Sequence, residues 1–178
     1  MEKENETKTK FILQVMHVVA WVAFIGFLIK AGAILFAYGI SYNNPNAAKD
    51  LYRGLDLYSV RQFDFWHYSQ TVSFIVALLV MKAFVAHLVI KILSKIKLVH
   101  PFKIEVAQVI EKISYILLGT WIVAVLYNAH IGWLAKRTGI LQEEWATDEF
   151  IVMAGLVFVI SQIFKRGVEI QSENELTV

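Results

Sequence analysis

Four stretches of this chain carry almost nothing but apolar residues. They run Phe11 to Ile40, Ser69 to Ile90, Ile113 to Ala135, and a shorter core at Phe150 to Phe164. A membrane-spanning helix needs ~20 such residues, with ~17–25 tolerated. Each stretch therefore predicts a transmembrane helix, the fourth completed over 148–166 with Lys165 and Arg166 snorkelling at one end. The first run follows a charged lead, MEKENETKTK, as a signal peptide would. Its 30 residues far exceed the ~7–15 of a signal core, which predicts a retained span. The pattern thus gives an all-α membrane protein with four transmembrane helices. It is organised as a short N-tail (1–10), one membrane domain (11–166) and a C-tail (167–178).

The connections carry their own patterns. Residues 41–68 hold Tyr42, Tyr52, Tyr58, Phe63, Phe65, Trp66 and Tyr68, rings that favour a headgroup region. NNPN at 43–46 signals a turn, with a short helix expected near Ala47 to Leu51. In the 91–112 loop, Phe102, Val106, Val109, Ile110 and Ile113 recur at helical spacing after Pro101. Lys103, Glu105, Gln108, Glu111 and Lys112 fill the other face. This predicts an amphipathic interfacial helix between spans two and three, running into span three.

Charge then sets orientation. The N-tail, the 91–112 loop and the C-tail together hold ten Lys and Arg, and the other two loops hold five. The richer side is expected to be cytoplasmic, which puts both termini inside. Composition agrees with a membrane class: 57% hydrophobic residues and a mean hydropathy of +0.55. A net charge of +2 gives no basis for direct nucleic-acid binding, and the absence of cysteine excludes disulfides and thiolate metal sites.

Two lysines interrupt the apolar runs. Lys30 sits in FLIKAGAILF and Lys82 in LLVMKAFVAHL. Nineteen residues separate Lys10 from Lys30, about one bilayer core. The helix is thus expected to cross between them and residues 31–40 to pack on the aromatic loop. A second reading places Lys30 deeper, paired with Asp148 or Glu149. Lys82 lies ~20 Å from the outer end of its span and ~13 Å from Lys91. A charge at the bilayer centre costs ~2.5–3.5 kcal/mol on insertion scales. The candidate intramembrane polar site is therefore Lys82 with Gln14, His17, Ser161 and Gln162. A lysine that merely reaches a thinned leaflet is the competing account. Lys30, Asn128, His130 and Glu149 form a candidate outer-face site.

Catalytic motifs are missing: no HExxH, GxSxG, P-loop or GxGxxG occurs, so no enzyme chemistry is expected. His17 and His87 on one side, with His67 and His130 on the other, form a layout that a membrane di-haem protein would also show. Gly26, Gly32 and Gly119 do not line up with them, and no cofactor is expected. Gly32 and Gly39 are not at GxxxG spacing, so no dimer seam is indicated.

The chain ends FKRGVEIQSENELTV. Its acidic residues Glu169, Glu173 and Glu175, with Leu176 and Val178, form a candidate partner-docking tail. This tail, together with KILSKIKLVHPF at 91–102 and the four-span plan, resembles the bacterial membrane family called domain of unknown function 2975, over nearly the whole chain. The resemblance implies a small four-helix inner-membrane protein, often encoded beside an XRE-type helix-turn-helix regulator. It brings no activity or cofactor. The expected function is therefore interaction or signalling, with the cytoplasmic face engaging a small DNA-binding regulator. The alternative is a small-molecule or peptide transporter, or an immunity-type membrane protein, that uses the site around Lys82.

Overall fold

The computed structural model describes residues 2–95 and 103–176, with side chains described for 7–95 and 103–173. The elements are α1 (Glu2–Asn43), a 3-10 turn (Pro45–Lys49), α2 (Tyr58–Phe63), α3 (Phe65–Lys95), α4 (Ile104–Thr138) and α5 (Asp148–Leu176). No strand occurs among the described residues. Helices α1, α3, α4 and α5 are long and apolar enough to cross a membrane.

The exposure of these helices says what surrounds them. In the most apolar stretch of α1 only 6% of residues are buried inside the protein. Phe11, Val22, Ile29 and Phe36 all face outward. A helix that is apolar all round and scarcely covered by protein requires an apolar solvent. The chain is therefore a multi-pass membrane protein.

Packing follows chain order. α1 lies on α3, α3 on α4 and α4 on α5, while α1 and α5 make no extensive contact among the described residues. Gly119 of α4 faces Met81 of α3, and a side chain there would begin 3.1 Å from Met81 Cε. Two ties mark the band the membrane occupies. Lys165 Nζ donates to Glu111 Oε1 at 2.7 Å at the end carrying the termini. Asn128 Nδ2 donates to the Trp145 carbonyl at 2.8 Å at the other end. Seventeen residues of α4 separate the two ties, and seventeen residues of α5 separate Asp148 from Lys165. Each spans ~26 Å, close to a ~30 Å hydrocarbon core.

A small folded cap closes the end opposite the termini. Ala48, Leu51, Leu57 and Val60 are buried with Ile34, Tyr68 and Leu134 in one cluster. Ser41 Oγ and Tyr68 Oη are 2.8 Å apart inside it, and Tyr38 stacks on Phe65. Residues 31–40 of α1 do pack on the aromatic loop. The loop turns through Arg53 and Gly54, both at positive φ, of 46° and 88°. The Gly54 amide donates to Asp50 Oδ1 at 3.0 Å.

The helices outrun the expected spans in all four cases. α1 takes in the N-tail from Glu2, α3 begins four residues before Ser69, and α4 begins at Ile104. Charged flanks rich in Lys, Glu and Gln are good helix formers, so the hydrogen-bonded ladder continues past the apolar run. The segment from Ile104 to Lys112 forms the first turns of α4 without a break. Its predicted start at Pro101 and Phe102 lies outside the described residues. The expected short helix appears as the Pro45–Lys49 turn, and α2 was not foreseen. The C-tail continues α5 and is helical to Leu176. Val178, and the side chains of Glu175 and Leu176, lie outside the described residues.

Candidate functional site

The site centres on Lys82, and its geometry starts from how α4 ends. Gly139 at φ 72° caps the helix in the left-handed conformation that Gly adopts without strain, its amide bonded to the Ala135 carbonyl. Residues 139–147 then run back along α4 toward the membrane band as a strap. Asn128 clamps the strap twice: its Nδ2 donates to the Trp145 carbonyl at 2.8 Å, and its Oδ1 accepts from the Trp145 amide at 2.9 Å. Tyr127 Oη donates to the Glu143 carbonyl at 3.3 Å. An amide side chain matches a peptide unit donor for acceptor, so Asn128 satisfies a backbone pair that apolar neighbours would leave unbonded.

The clamp sets Trp145 over Lys82. The ammonium lies 4.2 Å from the Trp145 ring centre and 5.3 Å from that of Phe150. Each such contact is worth ~0.5–2 kcal/mol, more when water is excluded. Among the described residues Lys82 forms no salt bridge.

Two cavities flank this contact, one lined by Lys82 and the other by Trp145. Toward the terminal end runs a cleft of about 440 Å³, lined by Val15, Val19 and Phe27 of α1, Lys82 and Val89 of α3, Leu117 of α4 and Phe150 of α5, among others. Toward the cap lies a polar cavity of about 680 Å³ bordered by Lys30, Arg53, Asp56, Glu143, Glu144 and Trp145.

The candidate residues read from sequence separate accordingly. Lys82 is at the centre, but Gln14, His17, Ser161 and Gln162 do not line its cleft. Gln14 is exposed, His17 Nε2 accepts from Trp21 at 3.1 Å, Ser161 bonds the Phe158 carbonyl, and Gln162 reaches Glu111. The physical reason is direction. A side chain leans toward the N-terminus of its helix, which on α3 is the cap end, so the ammonium points at Trp145. Of the second set, Lys30 borders the cap cavity, Asn128 holds the strap, and Glu149 stands near Lys82. Lys30 forms no salt bridge with Asp148 or Glu149. His130 lies elsewhere: its Nε2 is 3.1 Å from Thr71 Oγ1 and its ring stacks on His67, centroids 5.8 Å apart. His67 in turn stacks on Trp133 and bonds Asp64 at 2.8 Å. His87 meets Phe24 and Phe84. Glu169 pairs with Arg166 at 2.7 Å. No group of three metal-ligating side chains occurs among the described residues.

Trp145 is the residue sequence reading missed. The signal available was Asn128, a two-sided polar amide in an apolar helix, which has to find a partner of matching shape.

The fold and site define a class: an all-helical, multi-pass membrane protein with a capped end and a lysine set between two cavities. The chain belongs to the family described as protein of unknown function (DUF2975), whose model matches residues 60–178. The match takes in most of the chain but leaves out α1 and the first part of the cap. Neither a curated protein nor a solved structure matches the chain.

Proposed function

We propose that this protein is a non-catalytic membrane sensor of a bacterial cytoplasmic membrane, with both termini inside. A ligand is held at Lys82, and the cytoplasmic face engages a small DNA-binding regulator of the XRE type. The observation that carries this reading is the Lys82 ammonium itself, lodged at the mouth of an apolar cleft with aromatic rings instead of a carboxylate as its neighbours. Intramembrane charges are expensive and mark ligand or ion sites by default. α5 supports a link between the two ends, since it contributes Phe150 to the cleft and continues into the tail. The first turns of α4 would lie at the inner headgroups, with Lys91 and Lys95 toward anionic lipid, each worth roughly 1 kcal/mol there.

The test is affinity purification of the full-length protein from its native host in mild detergent, beside versions lacking 167–178 or carrying Lys82→Met. A small DNA-binding protein should copurify and be lost with the tail. Its absence from the full-length sample overturns the partner reading. A transporter or immunity-type role is favoured by one observation, that Lys82 of the apolar cleft touches Trp145 of the polar cavity. It gains if Lys82→Met abolishes the cellular phenotype while removal of the tail is silent.

A further inference from the structure

We infer that the apolar cleft and the cap cavity together form one binding site for a single-chain anionic amphiphile, with its tail in the cleft and its carboxylate or phosphate between Lys82 and Lys30. The inference rests on the reading of the Lys82 cleft as a ligand site and names the ligand's chemistry.

The length of the cleft fits a chain. Its α1 wall runs from Val15 to Phe27, twelve residues or ~18 Å of helix. That is about one leaflet of a ~30 Å hydrocarbon core. The lining is apolar apart from Lys82 and Thr120, and the Thr120 hydroxyl is already bonded to the Ile116 carbonyl at 2.8 Å. The cleft thus offers an alkyl chain surface to cover and asks for no polar partner along its length. Its volume of about 440 Å³ lies within the ~300–1,000 Å³ of ligand sites.

Access is lateral. Val15, Met16 and Val19 are 46%, 49% and 61% exposed on the cleft's edge, and α1 and α5 do not close against each other. An amphiphile already in the membrane enters between them without crossing the cap.

The charges supply the head. Lys30 stands one turn above Phe27 on α1 and borders the cap cavity, and Lys82 borders the cleft. The two are linked through Trp145, which shares the cap cavity with Lys30 and lies 4.2 Å from the Lys82 ammonium. One anion placed between them meets both. Arg53 and the acids Asp56, Glu143 and Glu144 also line the cap cavity, so Lys30 and Lys82 are the two ammoniums assigned to the head. Trp145 lines the cap cavity and holds Lys82 through its ring face. A bound anion replaces that contact with a stronger one, since charge-assisted hydrogen bonds exceed cation–π contacts.

The test is native mass spectrometry of the detergent-solubilised full-length protein. The probes are stearic acid, a stearoyl lysophosphatidic acid, stearyl alcohol and dioleoyl phosphatidylglycerol. One equivalent of an anionic single-chain probe should be retained, about tenfold or more over the alcohol, the worth of a charged hydrogen bond. Lys82→Met and Lys30→Met should each lose a similar factor, and Lys82→Arg should keep most of it. Val19→Trp, which fills the cleft, should exclude every chain. Whether the acid or the lysophosphatidic acid is preferred separates a free carboxylate from a phosphate headgroup. Equal retention of acid and alcohol, preference for the two-chain lipid, or retention unchanged in the Lys82→Met and Lys30→Met double variant overturns the inference. Size-exclusion profiles identical to the parent exclude misfolding as the cause of a loss. If no probe is retained but Lys82→Met still alters regulator capture, the amphiphile fails and the ligand-site reading stands. If Lys82→Met alters neither, both fail.

Discussion

Lys82 and Asn128 illustrate opposite ways in which a polar side chain survives in an apolar helix. Asn128 is satisfied by backbone, so its truncation leaves the Trp145 amide and carbonyl without partners. Each unpaired buried group costs about 1–3 kcal/mol. Asn128→Ala should therefore release the strap, seen as faster hydrogen exchange across residues 143–147 and a lowered melting temperature. Lys82 is satisfied only through ring faces, which recover less than its desolvation costs. Lys82→Met should leave melting unchanged or raise it in detergent, and a clear fall would make Lys82 a structural residue. The sequence made Lys82 conspicuous because a single charge in an apolar run needs no context to be noticed. Its partner was not legible. Trp145 lies 63 residues away, in a segment with no periodicity, and only the fold-back of the strap brings the two together.

Elements were legible where one solvent acts along their whole length. The four spans follow directly from long apolar runs. The cap did not, because α2 is six residues held by tertiary burial of Val60 and by no pattern of its own. Asp64 ties α2 to α3: its Oδ2 accepts from the His67 amide at 2.9 Å and from the His67 ring at 2.8 Å. Hydrogen bonds from the His67 ring and amide hold the Asp64 carboxyl below its ordinary value. A depressed carboxylate contributes stability above its unfolded pKa of ~3.9 and loses it as pH falls through the folded one. The cap should therefore loosen below about pH 4, and Asp64→Asn should remove that pH dependence, as read by exchange of the 64–68 amides. The seam between α3 and α4 depends on Gly119. Gly119→Ala has only the flexible end of Met81 to displace and should shift stability by under about 1 kcal/mol. Gly119→Leu must part the helices and should cost ~1–3 kcal/mol, measured as lost melting temperature.

At the scale of the molecule, two ties and the apolar stretches of α4 and α5 between them define a band whose thickness matches a bilayer. Lys and Arg counts favour the terminal end as cytoplasmic. The chain has no cysteine, so single substitutions report orientation without background. Glu143→Cys should label with an impermeant maleimide in intact cells, and Ser172→Cys only after permeabilisation; the reverse pattern inverts the topology. Helix number and composition were readable because the membrane imposes them. The arrangement of helices in a row was not, since apolar runs say nothing of which neighbour each one meets. That row has a consequence for biosynthesis. Each long helix packs against the one made before it, so the bundle can assemble by accretion in the order of synthesis, whereas the cap core closes only when Tyr127, Ile131 and Leu134 of α4 arrive. The last hairpin is also the one that completes the strap over Lys82, so the binding site comes into existence only when the chain is nearly finished.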